Sequence, residues 1–365
     1  MSTRFHTPLC EHLGIEHPIV QSGMGRIAGP ELVAEVSAAG GLGVLAGLLV
    51  PPELLRAQVR RVRQLTDRPF GVNLWLHEEL HPPVDAASIE DERIQAVQTV
   101  LDGFRSRLGL PPGEQRVASV PDLADAQLEM LLDERVPVLS VGLGNPGAAL
   151  VGRFRDRGAR VIAMACTVAD ARALAESGVD AVVAQGSEAG GHRSTWVKRS
   201  TRQAAAIGTM ALVPQVVDAV KLPVIAAGGI ADGRGLVASL ALGAQAVLLG
   251  TRFAATREST APEFFKRAIL AADGDATRIT NAFTGLYARV IANRFLSDYE
   301  ASGAPVLPGL IQANAAQDVY AKAAADGNAD YFPVLAGQSS GLISDLPGAA
   351  EVVRALLGEA AAVRL

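Results

Sequence analysis

The residues best equipped for chemistry fall in one stretch, Gln185-Gly-Ser-Glu-Ala-Gly-Gly-His192. An imidazole titrates close to neutrality, so His192, presented from a glycine-flanked loop, can remove a proton or hold a hydrogen bond. Gln185 carries both a donor and an acceptor, and Gly190-Gly191 let the backbone pass close to a flat ligand. Two further stretches, Ala226-Ala-Gly228-Gly229-Ile230 and Leu248-Leu249-Gly250-Thr251, place glycines where free backbone N–H groups can converge on a phosphate. The runs Gln21-Ser-Gly-Met24-Gly25 and Gly71-Val-Asn73 add a methionine able to pack on a ring and an amide able to bond ring heteroatoms. Together they outline a flat ligand with a phosphate tail, the shape of FMN.

Two other motifs are decoys. His77-Glu-Glu-Leu-His81 has the H-E-x-x-H spacing of a zinc hydrolase, which needs a helix to bring both imidazoles to one face. The motif follows a strand-like run and Pro82-Pro83 ends any helix, so a solvated loop is expected and no metal. Gly142-Leu-Gly-Asn-Pro-Gly147 has the G-x-G-x-x-G spacing of a dinucleotide turn between strand and helix. The next strand ends Val161-Ile-Ala-Met-Ala-Cys166 with no acid at its tip for a ribose hydroxyl, so a loop on a barrel rim is the expectation.

These groups need a scaffold that puts strand ends side by side. Eight short runs, uncharged except at their edges, alternate with helical periodicity, the grammar of βα units feeding a parallel sheet buried on both faces. They are His17–Gln21, Leu42–Leu45, Phe70–Leu74, Val136–Val141, Arg160–Met164, Ala181–Gln185, Pro223–Ala226 and Ala246–Gly250. Helices are expected at Glu31–Ala39, Glu53–Leu65, Leu123–Glu134 with Asp122 as cap, Ala148–Arg157, Val168–Ser177, Thr209–Val220 and Gly233–Ala241. Eight units favour a closed (β/α)8 TIM barrel over an open doubly wound sheet. Residues 77–135 add helices between the third and fourth strands, including Ile89–Leu108. The larger exception, residues 254–337, is helical in pattern and reads as a smaller substrate-capping domain inserted after strand 8. Residues 1–253 and 338–365 are then the barrel, closed by a helix at Leu346–Leu357.

The composition removes other classes. Of 365 residues 49% are apolar, 19% are charged and 37 are glycine, which excludes a disordered, coiled-coil or collagen-like chain. A net charge of -5 without a basic run gives no footprint for nucleic acid. Cys10 and Cys166 cannot form a disulfide framework, Met1 to His6 lack the apolar core of a signal peptide, and the longest apolar stretch, Leu42 to Val50, is too short for a bilayer. A cytoplasmic protein without membrane segments is expected.

On these residues the sequence resembles the nitronate monooxygenases, flavin enzymes formerly called nitropropane dioxygenases. The resemblance rests on Met24 to Gly43 with its Ala39-Gly-Gly-Leu-Gly core, Gly71-Val-Asn73, Glu188-Ala-Gly-Gly-His-Arg193, Ala226 to Thr251, and Gly337-Gln338. It implies a (β/α)8 barrel holding FMN, His192 as the catalytic residue, and Asn73, Gln185, Gly190, Gly229 and Leu248 to Thr251 around the cofactor. It also implies oxidation of alkyl nitronates by O2 to carbonyl compounds and nitrite. The alternative is an FMN-dependent NAD(P)H oxidoreductase of the enoyl-acyl-carrier-protein reductase or quinone reductase type. The expected partners are a small-molecule substrate and O2, with homo-oligomerisation open. Two stretches depart from the family pattern: Ser22-Gly-Met-Gly-Arg26 stands where a Pro-Met form is usual, and Thr284-Gly-Leu-Tyr287 where Thr-Gly-Arg is common.

Overall fold

The computed structural model describes residues 5–77, 80–114, 116–195 and 206–364. Each of the eight uncharged runs forms a strand: β1 (Ile19–Gln21), β2 (Gly43–Ala46), β3 (Phe70–Leu76), β4 (Val138–Gly144), β5 (Arg160–Ala165), β6 (Ala181–Gln185) and, beyond the two-residue β7 (Gly191–His192), β8 (Val224–Ala227) and β9 (Ala246–Leu249). The eight pair in the order β1-β9-β8-β6-β5-β4-β3-β2, all parallel. Gln21 closes the ring. Its N–H donates to Leu42 O at 2.9 Å, and its side-chain Oε1 accepts from Val44 N at 3.0 Å. The result is the expected (β/α)8 barrel.

Side chains alternate along each strand, so every strand feeds two cores. Val20, Val44, Ile162, Val183, Ile225 and Leu248 fill the barrel interior, while Ile19, Leu45, Val161, Val182, Ala226 and Leu249 face the surrounding helices. The helix Pro8–Leu13 inserts Leu9, Cys10 and Leu13 into the interior layer and plugs the N-terminal end. Among the described residues the barrel interior is therefore open at its C-terminal end.

Most helix ends lie within two residues of expectation, with helices at Pro30–Ala38, Pro52–Leu65, Gly147–Arg155, Val168–Glu176, Thr209–Ala219 and Gly233–Ala241. One cap differs: Asp122 does not hold the start of the helix Ala124–Asp133, because its carboxylate is drawn to His81 Nδ1 at 3.0 Å and meets Ala124 N only at 3.4 Å. The last helix starts later than expected, at Ala349, and runs to Ala362. It lies so close to the helix Gly233–Ala241 that a Cβ on Gly233 would sit 2.2 Å from Ala360 N.

The excursion between β3 and β4 shares a second core with the segment after β9. From the helix Asp91–Arg107, Phe104 packs against Phe295, which stacks on Phe283 at 4.7 Å, while Arg105 donates to Asp318 and to Ala315 O across the same contact. The later segment is mainly helical, at Glu263–Ala271, Arg294–Ser302 and Gln317–Ala325. It also contains a ribbon absent from the helical reading, β10 (Thr277–Thr280) antiparallel to β11 (Ala288–Ile291). β11 pairs in turn with β7, Ala288 opposite His192, so the ribbon is stitched to the loop above β6.

Candidate active site

A cavity of about 700 Å3 opens at the C-terminal end of the barrel. Met24, Gly25, Asn73, Gln185, Gly190, Gly191, His192, Gly250 and Thr251 all line it. A second space of about 390 Å3, sharing Gln185, Gly190, Gly250 and Thr251, extends it to Gly228, Gly229 and Leu248. Leu249 is placed elsewhere: it packs among the helices, as strand alternation requires once Leu248 points inward, and only its carbonyl turns back, to accept from Ser22 N at 3.0 Å.

Among the described residues no acceptor takes the backbone N–H groups of Gly228, Gly229, Gly250 or Thr251. Gly228 and Gly229 have φ of +103° and +73°, which turn the chain back over the strand end. A Cβ on Gly250 would meet nothing nearer than Met24 Sδ at 3.6 Å, so that side of the cavity is open. Unused N–H groups around open space suit the phosphate of a phosphate-tailed ligand.

Gln185 was expected to bond the ligand, and most of its amide is used within the protein. Its Nε2 donates to His192 O at 2.9 Å, and its Oε1 accepts from Cys166 Sγ at 2.8 Å and from Ser194 N at 3.2 Å. Burial pushes the Cys166 thiol up to about 11, which keeps it a protonated donor. The guanidinium of Arg193 holds the same loop from beneath by donating to Gly186 O and Gln185 O.

The two glycines before His192 do different work. Gly191, at φ +77°, has open space where a Cβ would stand and faces the cavity. The space beside Gly190 is taken instead by a backbone crossing, since a Cβ there would lie 2.4 Å from Gly337 N. Glu188 is no partner for His192 either. Its carboxylate accepts from Thr209 N at 2.9 Å and Thr209 Oγ1 at 3.0 Å, at the start of the helix Thr209–Ala219, where the helix dipole favours negative charge.

His192 Nε2 lies 2.9 Å from Thr284 Oγ1. The Thr284 hydroxyl donates to Leu286 O at 3.2 Å, so its oxygen is left to accept Nε2–H, and Nδ1 keeps a free lone pair. His192 itself lines the cavity. Trp75 meets the imidazole edge-on, with centroids 4.7 Å apart. Burial holds the His192 pKa down to about 4, so the ring is neutral at neutral pH and free to act as a base.

The two spacing motifs lie in different surroundings. His81 pairs with Asp122, and Glu78 and Glu79 lie outside the described residues. Among the described residues no three His, Cys, Asp or Glu side chains are grouped to hold a metal. Gly142 is the extra residue of a β-bulge, the register passing from Leu74 opposite Val141 to Trp75 opposite Leu143. A Cβ on it would lie 2.9 Å from the Asn73 amide and 3.1 Å from Trp75 Nε1, so this glycine makes room for two cavity side chains.

Across residues 6–359 the chain matches the model of the nitronate monooxygenase family. The chain belongs to that family. It is 35% identical over 334 residues to a probable nitronate monooxygenase of Staphylococcus saprophyticus, covering 92% of each chain. A probable nitronate monooxygenase of Staphylococcus aureus strain Newman is 36% identical over 341 residues, 93% of each. Among solved structures, the nitroalkane oxidase from Streptomyces ansochromogenes aligns with a TM-score of 0.87 at 36% identity over 98% of both chains. FabK from Thermotoga maritima aligns with a TM-score of 0.74 at 31% identity over 98% of this chain and 96% of that one. Membership makes the protein an oxidoreductase among flavin enzymes. Among the described residues no helix is long and apolar enough to cross a membrane.

The sequence reading did not assign Thr284, Trp75, Met164 or Ser22 to the site, although all lie at or beside the cavity and Ser22 and Thr284 open the two stretches that depart from the family pattern. Trp75 carried a usable signal, since it follows Asn73 by two residues and shares its face of the strand. Thr284 carried a signal only as part of the stretch Thr284-Gly-Leu-Tyr287; its contact with His192 arises from strand pairing far along the chain.

Proposed function

We propose that the protein binds FMN and oxidises alkyl nitronates with O2 to carbonyl compounds and nitrite. The observation that carries this reading is a neutral imidazole, His192, facing the same cavity as the glycine cradle. The backbone N–H groups at Gly228-Gly229 and Gly250-Thr251 would hold the phosphate, and Met24 and Asn73 would flank the ring system. When bound, the flavin supplies electron transfer between substrate and O2.

The protein's own share is placement and proton handling. With Nε2–H committed to Thr284, His192 Nδ1 is the atom that takes the α-proton when a neutral nitroalkane enters. A preformed nitronate needs no such transfer. Trp75 Nε1–H has no acceptor among the described residues and offers a donor to a nitro oxygen. Residues 254–337 cap the mouth and exclude water, their ribbon fixing His192 through Ala288.

The likeness to FabK favours one rival, an NAD(P)H oxidoreductase on the same barrel. Purified protein with ethyl nitronate in air should consume O2 and release nitrite, whereas anaerobic NADH or NADPH should leave its visible spectrum unchanged over minutes. Rapid bleaching by NADH, with no nitrite from any nitronate, would replace the proposal with the reductase reading.

A further inference from the structure

The two connected spaces at the barrel mouth are lined without a fixed charge. Among the described residues no Asp, Glu, Lys or Arg lines either of them, and burial keeps His192 neutral at neutral pH. The chain as a whole carries a net charge of -5. An anion arriving from water therefore meets overall repulsion and no countercharge inside, so a cation at the entrance would decide how readily it enters. The cations beside other lining residues are spent within the protein: Arg193 donates to Gln185 O and Gly186 O, Arg289 to Ser187 O, and Arg252 to Asp345.

The loop after β1 supplies one that is not spent. Arg26 stands between Gly25 and Ile27, both of which line the cavity. Its φ of +58° lies in the left-handed region, which an arginine seldom adopts and which persists only where the surroundings enforce it. Ile27 N and Ala28 N close the turn by donating to Met24 O at 3.1 and 2.9 Å. Thr260 fastens it from the segment after β9, its Oγ1 donating to Arg26 O at 3.0 Å and its N to Ile27 O at 3.1 Å. Ile27 is thereby buried while Arg26 is exposed, and among the described residues the guanidinium has no hydrogen-bond or ion-pair partner. Neighbouring Cα atoms lie about 3.8 Å apart, so in any rotamer the charge stays within roughly 10 Å of both lining residues, about the Debye length at 0.1 M salt.

We propose that Arg26 is a specificity-determining residue, which draws the anionic nitronate to the mouth and favours it over the neutral nitroalkane of the same carbon skeleton. The inference rests on the nitronate reading and assigns the preference to one side chain at the rim. A unit charge about 8 Å from the anion, in a medium between water and protein, changes its affinity roughly two- to fivefold, and reversing that charge squares the effect. A neutral nitroalkane feels little of it, because its proton passes to His192 and the reacting pair carries no net charge.

The test uses the holoenzyme at low and at high ionic strength. Ethyl nitronate and nitroethane, which differ by one proton, give kcat/KM from O2 consumption, and nitrite ion, a small anion with two oxygens, gives a Kd by calorimetry. Arg26→Asn and Arg26→Asp remove and reverse the charge with residues that tolerate positive φ, so the turn is kept, and Arg26→Lys retains the charge. At low ionic strength kcat/KM on ethyl nitronate should fall roughly two- to fivefold in Arg26→Asn, fall further in Arg26→Asp and recover in Arg26→Lys, and at high ionic strength the four proteins should converge. The Kd of nitrite should follow the same order, while nitroethane turnover and flavin retention stay as in the parent. Equal losses on both substrates, a loss that salt does not remove, or weakened flavin retention overturns the proposal. If the parent consumes no O2 with any nitronate, the nitronate reading fails, and the order of the nitrite Kd values alone decides whether Arg26 draws anions to the mouth.

Discussion

The two halves of the cavity are built from different materials. On one side Gly228, Gly229, Gly250 and Thr251 present backbone N–H groups around open space, so that a ligand there would meet main chain. On the other, His192, Trp75 and Thr284 present side chains whose positions depend on a ribbon, a bulge and one another. The first half is fixed by barrel strands and should respond to added bulk or charge. The second is fixed by tertiary contacts and should respond to lost functional groups.

The largest contrast is expected from His192→Asn. Loss of a general base costs roughly 10²- to 10⁴-fold, so kcat/KM on nitroethane should fall by that much, while ethyl nitronate loses far less and flavin content is unchanged. Equal loss on both substrates would move His192 from proton transfer to binding. Gly250→Asp attacks the other half. With an ordinary φ of -105° and open space at its Cβ, Gly250 can take a side chain without strain, unlike Gly229, whose positive φ and nearby Glu188 would confuse the outcome. A like charge at a phosphate costs several kcal/mol, so flavin retention in dialysis should drop roughly 100-fold with the apoprotein Tm unchanged. Full retention would take the phosphate away from that loop.

Acid should separate the halves as well. Because burial puts the His192 pKa near 4, turnover of neutral nitroalkanes should hold from pH 7 to about pH 4 and decline below it. Stability runs in the same direction. The unfolded chain takes up the proton near the ordinary 6.5 while the folded one resists until about 4, so His192 lowers stability as pH falls across that window. Urea unfolding at pH 7 and pH 5 should show a fall that shrinks in His192→Asn.

Smaller effects follow for supporting residues. Thr284→Val removes the acceptor of Nε2–H and should cost roughly 5- to 10-fold in kcat/KM on nitroethane, with Thr284→Ser restoring it. Glu188→Gln should lower stability by about 1 kcal/mol in denaturant unfolding, with little effect on the neutral base, because its charge serves a helix start.

The same division explains what the sequence revealed. Strands buried on both faces leave unbroken apolar runs, so the barrel and its glycine turns were readable from Ile19 to Leu249. β10 and β11 are four-residue strands, Thr-Arg-Ile-Thr and Ala-Arg-Val-Ile, and a run so short has no period to distinguish it from a helix segment. The pairing of β11 with Gly191-His192 joins segments about a hundred positions apart, which local pattern does not encode. Gly142 looked like part of a nucleotide turn because spacing alone does not show which strand carries a bulge. Gln185 and Gly190 were placed at the cavity, yet their main bonds and contacts tie down the loop, a distinction that needs the partners in view.

The crossing of Gly190 and Gly337 also bears on when the site comes into being as the chain is made. A nascent polypeptide leaves the ribosome from its N-terminus, so all eight barrel strands emerge well before Gly337. Until that glycine arrives, the loop at Glu188–Gly190 lacks the backbone that packs against it, and Thr251 Oγ1 and Glu188 O lack the N–H groups of Gly337 and Gln338. A translation product stopped before residue 336 lacks both the finished cradle and the helix Ala349–Ala362, whose Val352, Val353 and Leu356 belong to the core around the barrel. For the flavin site proposed above, capture would then wait for chains that are nearly whole.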